Sequence, residues 1–179
     1  MFDNLWKKTL AATLGLSLCA SLTVAQEKYG FGTKADPAEI AKYDIDIHID
    51  GKGLPAGSGN PALGAEIFEI QCAICHGEQL QGVRAMGANS LQEGRRDIKK
   101  LPYATSLFDF IRRAMPLTDP GTLSNDETYG LVAYLLTQTG VLKDKDVVLD
   151  AKSLAAIKMP NRGNFIIDPA SRFSAKDVH

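Results

Sequence analysis

Cys72-Ala73-Ile74-Cys75-His76 places two cysteines three positions apart, with a histidine directly after the second. The order Cys-x-x-Cys-His is typical of covalent haem c attachment. Each thiol can add to one vinyl group of a porphyrin, and the adjacent imidazole can supply the proximal ligand of the iron. The stretch therefore predicts one covalently bound haem c, with Cys72, Cys75 and His76 as its binding residues and His76 as a metal ligand.

Two other uses of paired cysteines fit this stretch less well. A thioredoxin-like redox motif belongs to a βαβ pattern, and the sequence around Cys72 shows none. A structural zinc site needs four ligands. Cys72, Cys75 and His76 supply three, and the chain has no second cysteine pair. Haem attachment remains the better interpretation.

The composition is that of an ordinary globular protein with one core. The chain has 179 residues, of which 45% are hydrophobic and 23% charged. Its formal net charge of −1 gives no indication of nucleic-acid binding. Once the cysteines and His76 are assigned to haem, no Ser/His/Asp or Cys/His catalytic set remains. These observations favour an electron-transfer protein over an enzyme.

The first 25 residues have the pattern of a secretory signal peptide. Lys7 and Lys8 precede an uncharged, leucine-rich run over residues 9–25, and Thr23-Val24-Ala25 supplies small residues for cleavage after Ala25. The run is short for a transmembrane helix, which needs about 20 apolar residues. We expect export to the periplasm through the Sec pathway and no stable membrane insertion after cleavage. An uncleaved anchor is the alternative.

The remaining chain divides into three predicted parts: an N-terminal extension over residues 26–59, a haem domain over residues 60–140 and a C-terminal extension over residues 141–179. The first extension is rich in glycine and proline, but residues 44–50 alternate isoleucine with polar residues, as a half-buried extended segment does. His48 lies in this segment. We interpret it as an exposed loop histidine, with a ligand role as the alternative.

Three helices are predicted in the haem domain. The first begins at Asn60-Pro61 and runs into Cys72, with Gly64 allowing another backbone to approach and Phe68 packing beside it. The second runs from Ser106 to Ala114, with Ser106 and Asp109 as a capping box. The third begins at the capping box of Ser124 and Glu127 and stops at Gly140. Residues 77–104 are predicted to be a loop around the haem with little regular structure.

Three methionines of the mature chain compete for the sixth position on the iron. Met115 precedes Pro116 at a helix exit, where its thioether can leave the helix face. Met86 lies only ten positions after His76, and Met159 lies beyond the last long helix. We predict Met115 as the second axial ligand, with Met159 as the alternative. Ligation by one histidine and one methionine gives a higher reduction potential than ligation by two histidines.

A small basic cluster follows the haem motif. It comprises Arg95, Arg96, Lys99 and Lys100. These side chains, and Tyr103 beyond them, are candidates to pair with the haem propionates, but a solvated charged face is the more common use of such a run.

The order Gly64, Phe68, Cys72-x-x-Cys75-His76, Met115-Pro116 and Tyr134 resembles that of the class I c-type cytochromes. This resemblance covers residues 60–140 and implies an all-α fold of three to four helices around one covalent haem, with its first and last helices crossing near a glycine and an aromatic residue. The methionine loop of that family precedes the last helix.

Stretches outside the haem motif support a narrower resemblance. Asp46–Ser58, Pro102–Pro116, Tyr129–Leu136 and Lys158–Arg162 are similar to the cytochromes of bacterial sulfur oxidation. These are the monohaem subunits or acceptors of molybdenum sulfite dehydrogenases and the cytochrome subunit of the Sox sulfur dehydrogenase. The Sox subunit can be larger and carry two haems, whereas this chain has one Cys-x-x-Cys-His.

This resemblance implies a periplasmic carrier of single electrons. Its donor would be a molybdenum enzyme of the sulfite dehydrogenase type, and its acceptor a downstream cytochrome or oxidase. Two alternatives stay open: a permanent cytochrome subunit of a sulfur-compound dehydrogenase complex, and a haem-based sensor or catalyst.

Overall fold

The computed structural model describes residues 32–165, so the predicted signal peptide and its Cys19 lie outside the described residues. The described residues divide into two units, with the division between Tyr43 and Asp44. In the first unit, helix α1 spans Pro37–Tyr43 and none of its residues is buried. All further elements described here belong to the second unit.

Helix α2 carries the chain into the cysteine motif. Its N-cap is Asn60, whose side chain accepts a hydrogen bond from the backbone N–H of Leu63, and the helix spans Pro61–Ile67. A π-helical turn over Phe68–Cys72 leads directly into the short helix α3, Ala73–His76. Gly77, with a φ of +73°, ends α3. The helix predicted from Asn60-Pro61 into Cys72 is confirmed.

Helix α4 spans Ala104–Ala114 and differs from the prediction at its start. The predicted capping box at Ser106 is wrong, because the helix begins two residues earlier, at an N-cap of Tyr103 that makes no side-chain cap hydrogen bond. Asp109 instead forms an ion pair with Arg113 one turn later, and Arg113 also contacts Asp46 at 2.9 Å. The end of the helix is as predicted.

Helix α5 spans Asn125–Gln138 and is the central element of the core. Its predicted capping box is present. The Ser124 hydroxyl accepts from the Glu127 N–H at 3.2 Å, and the Glu127 carboxylate accepts from the Ser124 N–H at 2.7 Å. Gly140 follows the helix with a φ of +75°, as expected of a C-terminal stop.

Helices α2 and α5 cross at two glycines. A Cβ on Gly64 would overlap the Gly130 carbonyl and would lie 2.6 Å from the Tyr134 Cβ. Beside this contact the Phe68 and Tyr134 rings pack with centroids 5.3 Å apart. The crossing at Gly64 and Phe68 is confirmed, and Gly130 is the partner of Gly64, which no pattern in the sequence indicated.

The segment between α3 and α4 contains only short 3-10 turns, at Arg84–Met86, Gly94–Arg96 and Ile98–Lys100. Leu80 and Ile98 anchor it, because both side chains are buried in the core. The predicted loop with little regular structure is therefore confirmed.

Both flanks of the predicted haem domain join its core. Strand β1, Ser58–Gly59, pairs antiparallel with strand β2, Leu149–Asp150, and β2 leads into helix α6, Ala151–Ala155. The buried core includes side chains from well beyond residue 140, namely Leu149, Leu154 and Met159. Before the domain, Ile47 packs against the same core, and the Tyr129 hydroxyl donates to the Pro55 carbonyl at 2.9 Å. The exact domain boundaries stay a prediction.

His48 is exposed, at a turn in which its own backbone N–H donates to the Lys52 carbonyl. Within residues 32–165, no helix has the length and apolar character needed to cross a bilayer.

Candidate cofactor site

A cavity of about 620 Å³ lies beside α3, α4 and α5. All four predicted site residues line it: Cys72, Cys75, His76 and Met115. The rest of its wall is mainly apolar and includes Phe68, Ile98 and side chains of α4 and α5. The helix side chains include Leu107, Ile111, Leu131 and Leu135.

The surroundings of His76 favour a neutral imidazole that can act as a metal ligand. Burial lowers its pKa below the usual value, so the imidazole is uncharged at neutral pH. Its Nδ1 is buried and has no hydrogen-bond partner among the described residues. A neutral imidazole that lines a cavity and makes no competing hydrogen bond suits metal ligation.

Cys72 and Cys75 are free, half-buried thiols. Burial, and then the neighbouring Cys75, raise the pKa of Cys72 to about 11. Reactive redox cysteines have the opposite shift, because their thiolates are stabilised. The environment of Cys72 therefore disfavours the thioredoxin-like alternative, and both cysteines line the same cavity.

The three methionines occupy different surroundings. Met115 leaves α4 in an extended conformation, with φ −126° and ψ 148°, and its half-buried side chain lines the cavity. Met86 also lines the cavity but is 53% exposed. Met159 is 3% exposed within the core and is not part of the cavity wall. This arrangement favours Met115 over Met159, and the choice of sixth ligand stays a prediction.

The side chains of the basic cluster make different contacts. Lys99 pairs with Asp97 at 3.8 Å, and the Lys100 ammonium donates to the Gly94 carbonyl. Tyr103 packs against the Arg162 guanidinium, 4.6 Å from the ring centroid. Arg96 is the member of the cluster that lines the cavity.

The cavity fits a covalently bound haem. It brings together two thiols, an imidazole and a thioether, which are the groups that such a cofactor requires, within walls that suit an apolar ring. Its volume lies within the range of ordinary cofactor pockets.

The rim of the cavity was not predicted from the sequence. Ile74, Phe110 and Leu117 line it while remaining 50–80% exposed, and Asn89 adds a polar group. The position of Phe110 could have been predicted, since Phe110 lies on the apolar face of α4. Leu117 and Asn89 lie in irregular segments that carry no periodic pattern.

Comparison with known proteins decides the family. Residues 59–135 match the family model described as cytochrome c oxidase, cbb3-type, subunit III. The crystal structure of the sulfane dehydrogenase SoxCD from Paracoccus pantotrophus is similar to this chain with a TM-score of 0.68 and 32% sequence identity. The similarity covers 79% of this chain and 73% of the SoxCD chain. The chain belongs to the class I c-type cytochromes. Membership of this family confirms the predicted all-α fold and the covalent haem c cofactor.

Two further relatives of the cytochrome are larger proteins. Thiosulfate dehydrogenase from Stutzerimonas stutzeri (strain A1501) is 31% identical over 90 residues, and the match covers 45% of this chain and 28% of that protein. The cbb3-type cytochrome c oxidase subunit CcoP from Rhodobacter capsulatus is 38% identical over 56 residues, 31% of this chain and 18% of that protein. The cytochrome therefore spans less than a third of either relative. It is an electron-transfer domain related to the cytochromes of sulfur dehydrogenases.

Proposed function

We propose that this cytochrome carries single electrons in the periplasmic oxidation of inorganic sulfur compounds. Its donor is a molybdenum enzyme of the sulfite dehydrogenase type, and its acceptor is a downstream cytochrome or oxidase. One observation supports the electron-transfer role most strongly. Cys72, Cys75, His76 and Met115 all line one largely apolar cavity.

The four residues have two tasks. Cys72 and Cys75 would hold the haem by thioether bonds, and His76 and Met115 would be the ligands of its iron. The bound haem contributes a one-electron Fe(III)/Fe(II) couple. Because His76 and Met115 would both bind the iron, the site would suit electron transfer rather than the binding of a substrate. The apolar wall limits the access of water, and so helps to set the potential.

The rim of the cavity supplies a place for redox partners to approach. Ile74, Phe110 and Leu117 expose apolar surface there, and these residues are 70%, 50% and 80% exposed. Such encounters between redox proteins use small interfaces and are transient. A carrier that must release one partner before meeting the next needs a contact of this kind.

The assignment to sulfur oxidation is supported by two of the relatives, which are a sulfane dehydrogenase and a thiosulfate dehydrogenase. The choice of a sulfite dehydrogenase as donor is supported by the sequence stretches outside the haem motif.

A permanent subunit is the second candidate function. The similarity to most of a SoxCD chain favours it. Against it, parts of the flanking segments are used within the molecule, since β1 pairs with β2 and Leu154 and Met159 fill the core. These parts are not available to bind a partner, and we favour a transient carrier.

Stopped-flow mixing tests the proposed donor. The oxidised cytochrome is mixed with a purified molybdenum sulfite dehydrogenase and sulfite, and reduction of the haem is followed by absorbance. We expect rapid reduction with enzyme and sulfite together, and only slow reduction when either is left out. Equal rates with and without the enzyme would contradict the proposal. Binding of CO by the reduced protein would instead favour a sensor or catalyst.

Export can be tested separately. The basic residues Lys7 and Lys8 and the apolar run that follows them support a cleaved signal peptide. We expect the periplasmic fraction to contain a haem-stained protein whose N-terminal residue is Gln26. Recovery of the haem protein only from the cytoplasm would contradict this assignment.

A further inference from the structure

We propose that residues 46–58, here called the anchoring segment, hold Met115 in place as a ligand by fixing both ends of the loop that contains it. Asp46 is a positioning residue in this role, and so is Tyr129 of α5. The inference rests on the proposed haem site with Met115 as an axial ligand, but not on the identity of the electron donor.

The loop that contains Met115 spans residues 115–124, between the end of α4 and the start of α5. Most of its residues are exposed. Its interior hydrogen bonds, in the described part of the chain, are local. The Asp119 N–H donates to the Pro116 carbonyl, and the Thr122 hydroxyl donates to the Asp119 carbonyl. The position of Met115 therefore depends on how the two ends of the loop are held.

At the first end of the loop, the anchoring segment contacts the last turn of α4. Arg113 lies two positions before Met115, and one nitrogen of its guanidinium contacts the Asp46 carboxylate at 2.9 Å. The other terminal nitrogen contacts Asp109 of α4, so Arg113 makes both contacts at once. Movement of this turn away from the anchoring segment would break the contact with Asp46.

At the other end of the loop, the same segment contacts the first turns of α5. Three hydrogen bonds join them: the Asn125 amide donates to the Ala56 carbonyl at 3.0 Å, the Ser58 N–H donates to the Asp126 carboxylate at 2.7 Å, and the Tyr129 hydroxyl donates to the Pro55 carbonyl at 2.9 Å. Tyr129 is fully buried, and its ring packs on Phe108 of α4 with centroids 4.5 Å apart. Tyr129 therefore contacts both the anchoring segment and the helix that precedes the loop.

The anchoring segment contains a compact turn. The His48 N–H donates to the Lys52 carbonyl at 2.8 Å. A Cβ on Gly53, whose φ is +89°, would overlap the Asp46 carbonyl oxygen, so the two sides of the turn are in direct contact. Ile47 packs against the core. A segment held in this way can keep both ends of the loop in fixed positions.

Displacement of Met115 by an added ligand measures how firmly the loop is held. Imidazole can bind Fe(III) at this position only after the Met115 sulfur has left. One iron–sulfur bond is broken, one iron–nitrogen bond is formed, and the oxidation state does not change. The apparent affinity for imidazole is therefore proportional to the fraction of protein in which the loop is open. Weakening the anchoring contacts raises this fraction and tightens the binding of imidazole.

The experiment titrates the purified, haem-loaded Fe(III) protein with imidazole at one pH and low salt, and follows the absorbance. We expect apparent binding to become tighter by about twofold in Asp46→Asn and by about threefold or more in Tyr129→Phe. The double variant should bind about fivefold more tightly than wild type, because the two changes act at opposite ends of one loop. High salt should reduce the effect of Asp46→Asn, since that contact is an exposed ion pair.

A matched double variant, Asp44→Asn with Tyr134→Phe, is the control. Asp44 is exposed and forms no ion pair within residues 32–165. Tyr134 lies on the same helix as Tyr129, but its ring packs on Phe68. The control removes the same charge and the same hydroxyl group, and its affinity for imidazole should stay close to that of wild type.

Equal affinities for the two double variants, both fully loaded with haem, would overturn this inference alone. If Tyr129→Phe does not fold, Asp46→Asn against Asp44→Asn at low salt decides the question, and equal affinities there would overturn it. A wild type that binds imidazole as tightly as Met115→Ala would instead overturn the assignment of Met115 as a ligand. A wild type without covalent haem would overturn the proposed function, so the failures are distinguishable.

Discussion

Gly64→Ala is expected to destabilise the folded protein by about 3 kcal/mol or more, which is a large fraction of a typical folding free energy. The added methyl group would overlap the backbone carbonyl of Gly130 and come within 2.6 Å of the Tyr134 Cβ. A helix backbone cannot rotate away as a flexible side chain can, so α2 and α5 must separate. Alanine also improves helix propensity by roughly 1 kcal/mol, and the expected net loss already allows for this gain.

Two other glycines supply controls for this prediction. A Cβ on Gly130 would meet Gly64 N and the Leu63 side chain at 3.1 Å, a contact that small shifts can relieve, whereas one on Gly163 would meet nothing within 4 Å. We expect the loss of stability to follow the order Gly64→Ala, Gly130→Ala and Gly163→Ala, with the last within about 0.5 kcal/mol of wild type. Denaturant unfolding followed by circular dichroism measures each value. A Gly64→Ala protein as stable as Gly163→Ala would show that the helices do not cross here.

Met115→Ala is expected to remove the sixth ligand and lower the reduction potential. A thioether ligand favours Fe(II), so its loss stabilises the oxidised state. The oxidised variant should lose the weak near-infrared band that arises from sulfur-to-iron charge transfer. The haem itself should stay attached, because Cys72 and Cys75 are unchanged. Near-infrared absorption and spectroelectrochemistry of the purified variant provide the two measurements.

Met86→Ala and Met159→Ala are the matched controls for the ligand. Met86 lines the same cavity, and Met159 lies in the core, so each shares one feature with Met115. Met159→Ala should cost stability, typically 2–5 kcal/mol for a buried methionine, but keep the band. A band that survives in Met115→Ala and disappears in either control would reassign the ligand.

Local signals in the sequence were sufficient to predict most helix ends. Asn60, the Ser124 and Glu127 pair, and Gly140 all act within one turn of the helix that they begin or end, so their spacing carries the information. At Ser106 the local capping pattern gave a wrong prediction. A hydroxyl residue three positions before an acidic one is compatible with a cap, but Asp109 instead pairs with Arg113, which also reaches Asp46. The contact with Asp46 joins residues far apart in the sequence.

Contacts between distant segments account for what the sequence did not predict. Gly64 indicated that a backbone approaches, but nothing local identified Gly130 as the approaching residue. In the same way, alternation in residues 44–50 suggested an extended segment, and only the fold shows that Ser58–Gly59 pairs with Leu149–Asp150. The division of the basic cluster, with Arg96 at the cavity and Lys99 on Asp97, likewise depends on how the loop folds.

The most direct test of the central claim is denaturation of the purified, exported protein in acidified acetone, followed by its intact mass. If thioether bonds from Cys72 and Cys75 hold the haem, the colour should stay with the precipitated polypeptide, and the mass should exceed that of the chain by one haem. Colour that passes into the solvent, or a polypeptide with the mass of the unmodified chain, would contradict the account.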